Sequence, residues 1–93
     1  MIKSFGDKET EKIYYQSYSR KLPQAVQRIG LRKLIMMDGA RSTDDLRVPP
    51  ANHLDLLQGD YKGLYSIRIN DQYRIVFRLK NDDIYDVRIV DYH

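Results

Sequence analysis

The chain has no cysteine and no tryptophan among its 93 residues. Without cysteine there is neither a disulfide framework nor a thiolate zinc site, so stability has to come from burial. No stretch approaches the run of about 18 apolar residues that a membrane-spanning helix requires. The opening residues, Met1 to Asp7, lack the apolar segment of a secretion signal, so a cytoplasmic location is expected and no membrane partner is. A chain of this length has one modest core, and a single domain is expected over residues 1–93.

What is present reads as globular: 42% of residues are apolar and 31% charged, more apolar than a disordered chain. The net charge of +3 is unevenly spread. Residues 1–48 carry ten Lys and Arg against six Asp and Glu, and residues 49–93 carry six against seven. A basic balance suits a polyanionic partner, but many ordinary domains share it.

Periodicity divides the chain in two. Ile2 to Phe5 reads as a short strand, and Asp7 is placed to cap a helix from about Lys8 to Lys21, with Ile13, Tyr14, Tyr18 and Leu22 as its apolar face. Pro23 suits the start of a second helix, whose apolar face is Val26, Ile29, Leu34 and Met37 and whose stop is Gly39. Residues 40–53 read as a connection, with room for one helical turn at Ser42–Asp45 and an extended segment forced by Pro49-Pro50. Beyond it the period becomes 2. A short strand is expected within His53–Leu57, then three longer ones at Leu64–Asn70, Tyr73–Leu79 and Ile84–Val90, joined by turns at 70–72 and 81–83.

Strand alternation assigns two faces. One takes Tyr65, Ile67 and Ile69; Tyr73, Ile75, Phe77 and Leu79; and Tyr85, Val87 and Ile89. The other takes Ser66, Arg68 and Asn70; Arg74, Val76, Arg78 and Lys80; and Asp86, Arg88 and Val90. An α+β fold follows, with two N-terminal helices on one face of a small antiparallel sheet and an open, arginine-rich opposite face. Guanidinium groups bind phosphate in bidentate fashion and stay charged. A one-sided antiparallel sheet must in any case be polar outside.

Asp91-Tyr92-His93 is the second feature. RNA is cleaved without a metal when its 2′-OH attacks the adjacent phosphate. That reaction asks for a base at the hydroxyl, an acid at the departing 5′ oxygen and cations around the phosphorane. Histidine transfers protons near neutral pH, aspartate can act as base or orient the histidine, and tyrosine can stack on a base or place a proton. The same tripeptide is also an ordinary polar segment. Alternation puts Asp91 and His93 on the core side and Tyr92 on the outer side.

The run from Leu57 to Phe77, which contains Gly59-Asp60, Tyr65-Ser66-Ile67-Arg68-Ile69-Asn70 and Tyr73-Arg74, closely resembles the HigB-type toxins of the RelE superfamily. So do Tyr85–His93, Met1–Phe5 and Asp45–Pro50, so the resemblance covers nearly the whole chain in order. It implies a RelE-like fold and the toxin of a type II toxin-antitoxin system, an endoribonuclease cutting mRNA on the ribosome and inhibiting translation without metal or cofactor. Carried onto matching positions, Asp91, Tyr92 and His93 are the expected catalytic group and Arg74 the phosphate or transition-state contact, with Arg68 nearby; Arg78 on the open face and Lys62 after the glycine-bounded turn are further RNA-side candidates, Lys62 equally a solvated loop lysine. A helix-turn-helix, HigA-like antitoxin is the implied partner, with operator DNA reached only through it.

Two departures stand out. Gln58 occupies a position that is often lysine, and the upstream histidine of some members aligns better with Asp55 than with His53, which remains an RNA-side candidate. A non-enzymatic ParE-like gyrase poison would have no need of Asp91-Tyr92-His93. An RNA-binding module without catalysis would keep its effect when His93 is replaced.

Overall fold

In the computed structural model, which describes residues 1–92, the Asp7 carboxylate accepts the Thr10 N–H at 2.8 Å and opens helix α1, Lys8–Tyr14. The helix stops well short of the expected Lys21. Gln16 turns to φ 64°, its N–H bonds to the Ile13 carbonyl at 2.9 Å, and the Ser17 N–H bonds to the Lys12 carbonyl at 2.7 Å. These two bonds make a Schellman stop, built here without glycine. The chain then crosses to the next helix on polar contacts. Buried Ser19 donates its N–H to Gln27 Oε1 at 2.9 Å, and Gln27 Nε2 donates to the Ser19 and Leu22 carbonyls at 2.8 and 2.7 Å. Tyr18, expected in the core, is therefore 69% exposed.

Helix α2 spans Gln24–Gly39 directly after Pro23, as its pattern indicated. Its buried stripe is Val26, Gly30, Leu34 and Met37, with Ile29 half-buried. Gly30 marks the closest approach to the sheet: a Cβ there would lie 3.0 Å from Ile89 Cδ1. Short 3-10 turns follow at Thr43–Arg47 and Pro50–Asn52.

The sheet is antiparallel in the order β1 (Asp55–Leu56), β2 (Tyr65–Arg68), β3 (Tyr73–Lys80), β4 (Asp83–Asp91). Between β2 and β3, Asn70 Oδ1 accepts the N–H groups of Gln72 and Tyr73 at 2.8 and 2.7 Å, an Asx turn. Between β3 and β4, Lys80 pairs with Asp83 around a two-residue turn, Asn81 and Asp82, both at positive φ. That is the type I′ geometry that matches strand twist. The core joins Ile13, Val26, Leu34, Met37 and Leu46 to Ile67, Ile69, Ile75, Phe77, Ile84, Val87 and Ile89. Among the described residues no helix is long and apolar enough to cross a membrane.

Alternation fails at one place on β4. Val76 pairs with Arg88 but Arg78 pairs with Tyr85, so β4 holds one extra residue there, Asp86, at φ 56°. This is a β-bulge. It reverses the parity of the first part of the strand: Ile84 enters the core, and Tyr85, expected inside, lies on the outer face beneath the Arg78 guanidinium at 4.9 Å. The outer face is also less open than expected, since Ser66 and Val76 are fully buried on it.

Residues 1–5 run parallel beside β4 through bridges Ile2–Ile84 and Phe5–Val87. Asp38 secures this segment from α2. Its Oδ1 accepts the Ile2 N–H at 2.9 Å and its Oδ2 the Tyr14 hydroxyl at 2.8 Å. These bonds, the Ile2 N–H foremost, hold the Asp38 carboxyl below the ordinary value of 3.8 and raise the Tyr14 phenol. A carboxyl with a lowered native pKa stabilises the fold above its ordinary value, and that contribution fades as pH falls through the native one. Asp38→Ala should therefore cost about 1.5–3 kcal/mol at neutral pH, roughly 6–20 °C in melting temperature. Melting curves of both proteins should converge as the pH falls below about 4. A constant gap down to the acid transition would count against the charged network.

Candidate active site

The loop ahead of β1 is fixed from inside. Asn52 is fully buried and donates Nδ2 to the Leu46 carbonyl at 3.1 Å and the Val48 carbonyl at 3.3 Å, while its Oδ1 accepts Lys33 Nζ at 2.5 Å. Burial, with Arg32 and Arg68 nearby, pushes the Lys33 amine below its ordinary pKa. His53 then takes a left-handed turn at φ 46°, which presents its carbonyl to the outer face of the sheet.

Arg74, on β3, meets that carbonyl. Its Nε donates to Ser66 Oγ at 2.7 Å and its Nη2 to the His53 carbonyl at 2.7 Å, with Asp55 Oδ2 at 3.3 Å. The side chain is only 15% exposed. Three acceptors fix the plane of the guanidinium, and Nη1 has no partner among the described residues, so the fork keeps donors for an anion. Arg68 lies directly opposite Arg74 on β2. Like charges in that relation repel, and each has its own carboxylate: Asp71 for Arg68 at 2.5 Å, Asp55 for Arg74.

Asp91 and Tyr92 reach the same end of the sheet from β4. The Tyr92 N–H donates to the Gln72 carbonyl at 2.8 Å and Gln72 Nε2 donates to Asp91 Oδ2 at 3.0 Å. The Tyr92 ring is on the outer face, the side alternation assigns it, with Arg74 Cζ 5.9 Å from its centroid. Tyr61, from a 3-10 turn at Gly59–Tyr61, packs 5.9 Å from Tyr92 and lies under Arg88 at 6.0 Å. Arg74 and Tyr92 are thus brought together with Arg68 adjacent, while Asp91, held by Gln72 at the same end of the sheet, pairs with Tyr73 and keeps the core-side parity that alternation assigns it. His93 lies outside the described residues. Arg78 is apart, beyond the bulge, with Asp86 at 3.2 Å. Lys62 is exposed in the glycine-bounded turn, and His53 is exposed and touches Arg74 through its backbone.

Ser66, Gln72 and Tyr61, none of them singled out from the sequence, complete the arrangement with Asp55, which the sequence marked only as the position aligned with the upstream histidine of some members. Ser66 had a signal, being the small polar residue on the arginine face beside Arg74. Gln72 had none, because a turn glutamine has many uses.

An arrangement of this kind, a fixed guanidinium beside a carboxylate and a phenol on an exposed sheet face, suits a phosphodiester. The family model of the RelE-like toxin of the type II toxin-antitoxin system HigB matches residues 3–93. The chain is 39% identical over 79 residues to Toxin HigB-1 of Vibrio cholerae serotype O1, covering 84% of this chain and 83% of that protein. It is 34% identical over 94 aligned positions to Endoribonuclease HigB of Proteus vulgaris, covering 100% of both. The toxin-antitoxin complex YoeB-YefM from Staphylococcus aureus holds a chain of similar fold, with a TM-score of 0.56, 18% identity, and coverage of 100% of this chain and 95% of that one.

Arg74→Lys keeps the charge but cannot reach Ser66 and the His53 carbonyl together. It should lower stability by about 1–2 kcal/mol in urea denaturation. Unchanged stability would show that the fork does not hold residues 53–55 to the sheet.

Proposed function

This chain belongs to the HigB-like, RelE-like toxins of type II toxin-antitoxin systems, and from that premise we propose that it is an endoribonuclease that cuts mRNA on the ribosome. The observation that carries the reading is Arg74, locked in plane by Ser66 and the His53 carbonyl and facing the Tyr92 ring, with Asp91 held by Gln72 at the same end of the sheet.

The reaction is attack of the 2′-oxygen on the adjacent phosphorus. The 2′ proton passes to a base, the bond to the 5′ oxygen breaks, and that oxygen takes a proton from an acid. The products are a 2′,3′-cyclic phosphate and a 5′-hydroxyl, and no oxidant or cofactor enters. We assign proton transfer to Asp91, Tyr92 and His93, and the phosphorane's developing charge to Arg74, whose plane is set before substrate arrives. Arg68, Arg78, Lys62 and His53 are assigned to RNA contact. The work is expected in the cytoplasm, where ribosomes are. A separate helix-turn-helix antitoxin of the HigA kind holds the protein in check and carries it to operator DNA.

Induced expression in bacteria tests this. Wild type should stop growth and create new 5′ ends inside translated reading frames. Arg74→Ala and His93→Ala, with folding checked by circular dichroism, should reduce the cuts by about two orders of magnitude or more. Growth arrest without new mRNA ends, or full toxicity of both variants, would replace the ribonuclease with a non-enzymatic poison.

A further inference from the structure

The outer face carries four arginines, and their charge is not compensated evenly. Arg68 pairs with Asp71, Arg74 with Asp55 and Arg78 with Asp86. Arg88 makes no ion pair among the described residues, yet its placement is well defined. Its guanidinium lies 6.0 Å from the centre of the Tyr61 ring. Its stem runs over Gly6, where a Cβ would come within 3.2 Å of Arg88 Cδ. Arg88 also belongs to the neighbourhood already described. It pairs with Val76, two residues from Arg74 along β3, and its ring partner Tyr61 packs on Tyr92. An aromatic ring holds a guanidinium while leaving its N–H edge open, whereas a carboxylate would occupy that edge. Of the four arginines on this face, the one without a carboxylate partner is thus Arg88, held by a ring and beside Arg74 and Tyr92.

We propose that Arg88, held by Tyr61, is a second phosphate-binding site that takes the backbone of single-stranded RNA next to the phosphate at Arg74. This rests on reading the outer face as the RNA side, but not on cleavage. Two anchored phosphates fix the direction of the strand across the face, which one contact cannot do. Tyr61 is the positioning residue, and it acts through Arg88 and Tyr92.

The test is binding of a fluorescein-labelled, non-cleavable 2′-O-methyl oligoribonucleotide of about eight nucleotides, read by anisotropy over a series of salt concentrations. Arg88→Gln should bind about fivefold more weakly at low salt, and the slope of log K against log salt should flatten by about 0.7, one phosphate contact. Lys8→Gln, an equal loss of charge on the exposed start of α1, should leave the slope as it is. Arg88→Lys should keep the slope even if the glutamine variant proves less stable. Tyr61→Phe should match wild type and Tyr61→Leu should weaken binding, since the ring face and not the hydroxyl holds the guanidinium. A wild-type slope in Arg88→Gln, an equal loss in Lys8→Gln, or no binding by wild type would each overturn the site. Wild-type binding by Tyr61→Leu would overturn the role of the ring. If wild type cuts no RNA but Arg88→Gln still loses the slope, the phosphate site stands and the ribonuclease reading falls.

Discussion

Strand β4 has β3 on one side only, and the backbone groups on its other edge must be satisfied by something else. The first residues of the chain do this. Lys3 and Gly6 donate to the carbonyls of Ile84 and Val87 at 2.7 and 2.8 Å, and Ile84 and Val87 donate to those of Met1 and Ser4 at 3.0 and 3.1 Å. Further along, Thr10 Oγ1 accepts the Ile89 N–H at 2.9 Å, so helix α1 closes the edge where the parallel segment ends. An open edge of this length would invite pairing with another chain. The same bonds hold the start of α1 against the sheet, and its end is tied to α2 through the Tyr14–Asp38 bond. The strand that presents Asp91 and Tyr92 is therefore among the most tightly held in the molecule. A site built at its end inherits that rigidity.

On the outer face the organising quantity is charge. Arg68 and Arg74 face each other across two strands, an arrangement that costs stability unless each is neutralised. Asp71 and Asp55 do so locally. They are 100% and 62% exposed, so each pair is screened by water and contributes little alone. Their effect is to allow two guanidiniums to stand close together in one orientation. Arg74 is the more constrained of the two because the buried Ser66 hydroxyl and the His53 carbonyl are both aligned with its fork.

Much of this was legible in the sequence, and what was not has physical causes. The period of 2 placed Ile67, Ile75, Phe77, Val87 and Ile89 inside and Arg68, Arg74 and Arg78 outside, since a strand has only two faces. It failed at Tyr85 because a bulge adds a residue without disturbing the hydrophobic pattern on either side. The first helix was read too long because Tyr18 and Leu22 fall at helical spacing. Nothing local announces a Schellman stop when glutamine takes the left-handed position. Strand parity and the family resemblance agree on Arg74 and Tyr92, whereas Asp91 was named by the resemblance against a parity that puts it, with Tyr73, on the core side. Their meeting with Tyr61, Ser66 and Gln72 depends on how loops return over the sheet, which periodicity does not record.

The β2–β3 turn shows how few residues set the site's geometry. Asn70 fixes the turn by accepting two backbone N–H groups, and this leaves Gln72 with both its carbonyl and its side-chain amide directed at the end of β4. Gln72 is two residues from Arg74. The spacing between the guanidinium and the Asp91-Tyr92 pair is therefore set by one short stretch of β3 and two hydrogen bonds, not by the packing of distant elements. The connection at 40–53 does not enter that spacing, and its part is to deliver the His53 carbonyl and Asp55 to the edge where Arg74 meets them. In a chain of 93 residues, where the core is small and each loop carries a large share of the fold, this separates the requirements of chemistry from those of stability.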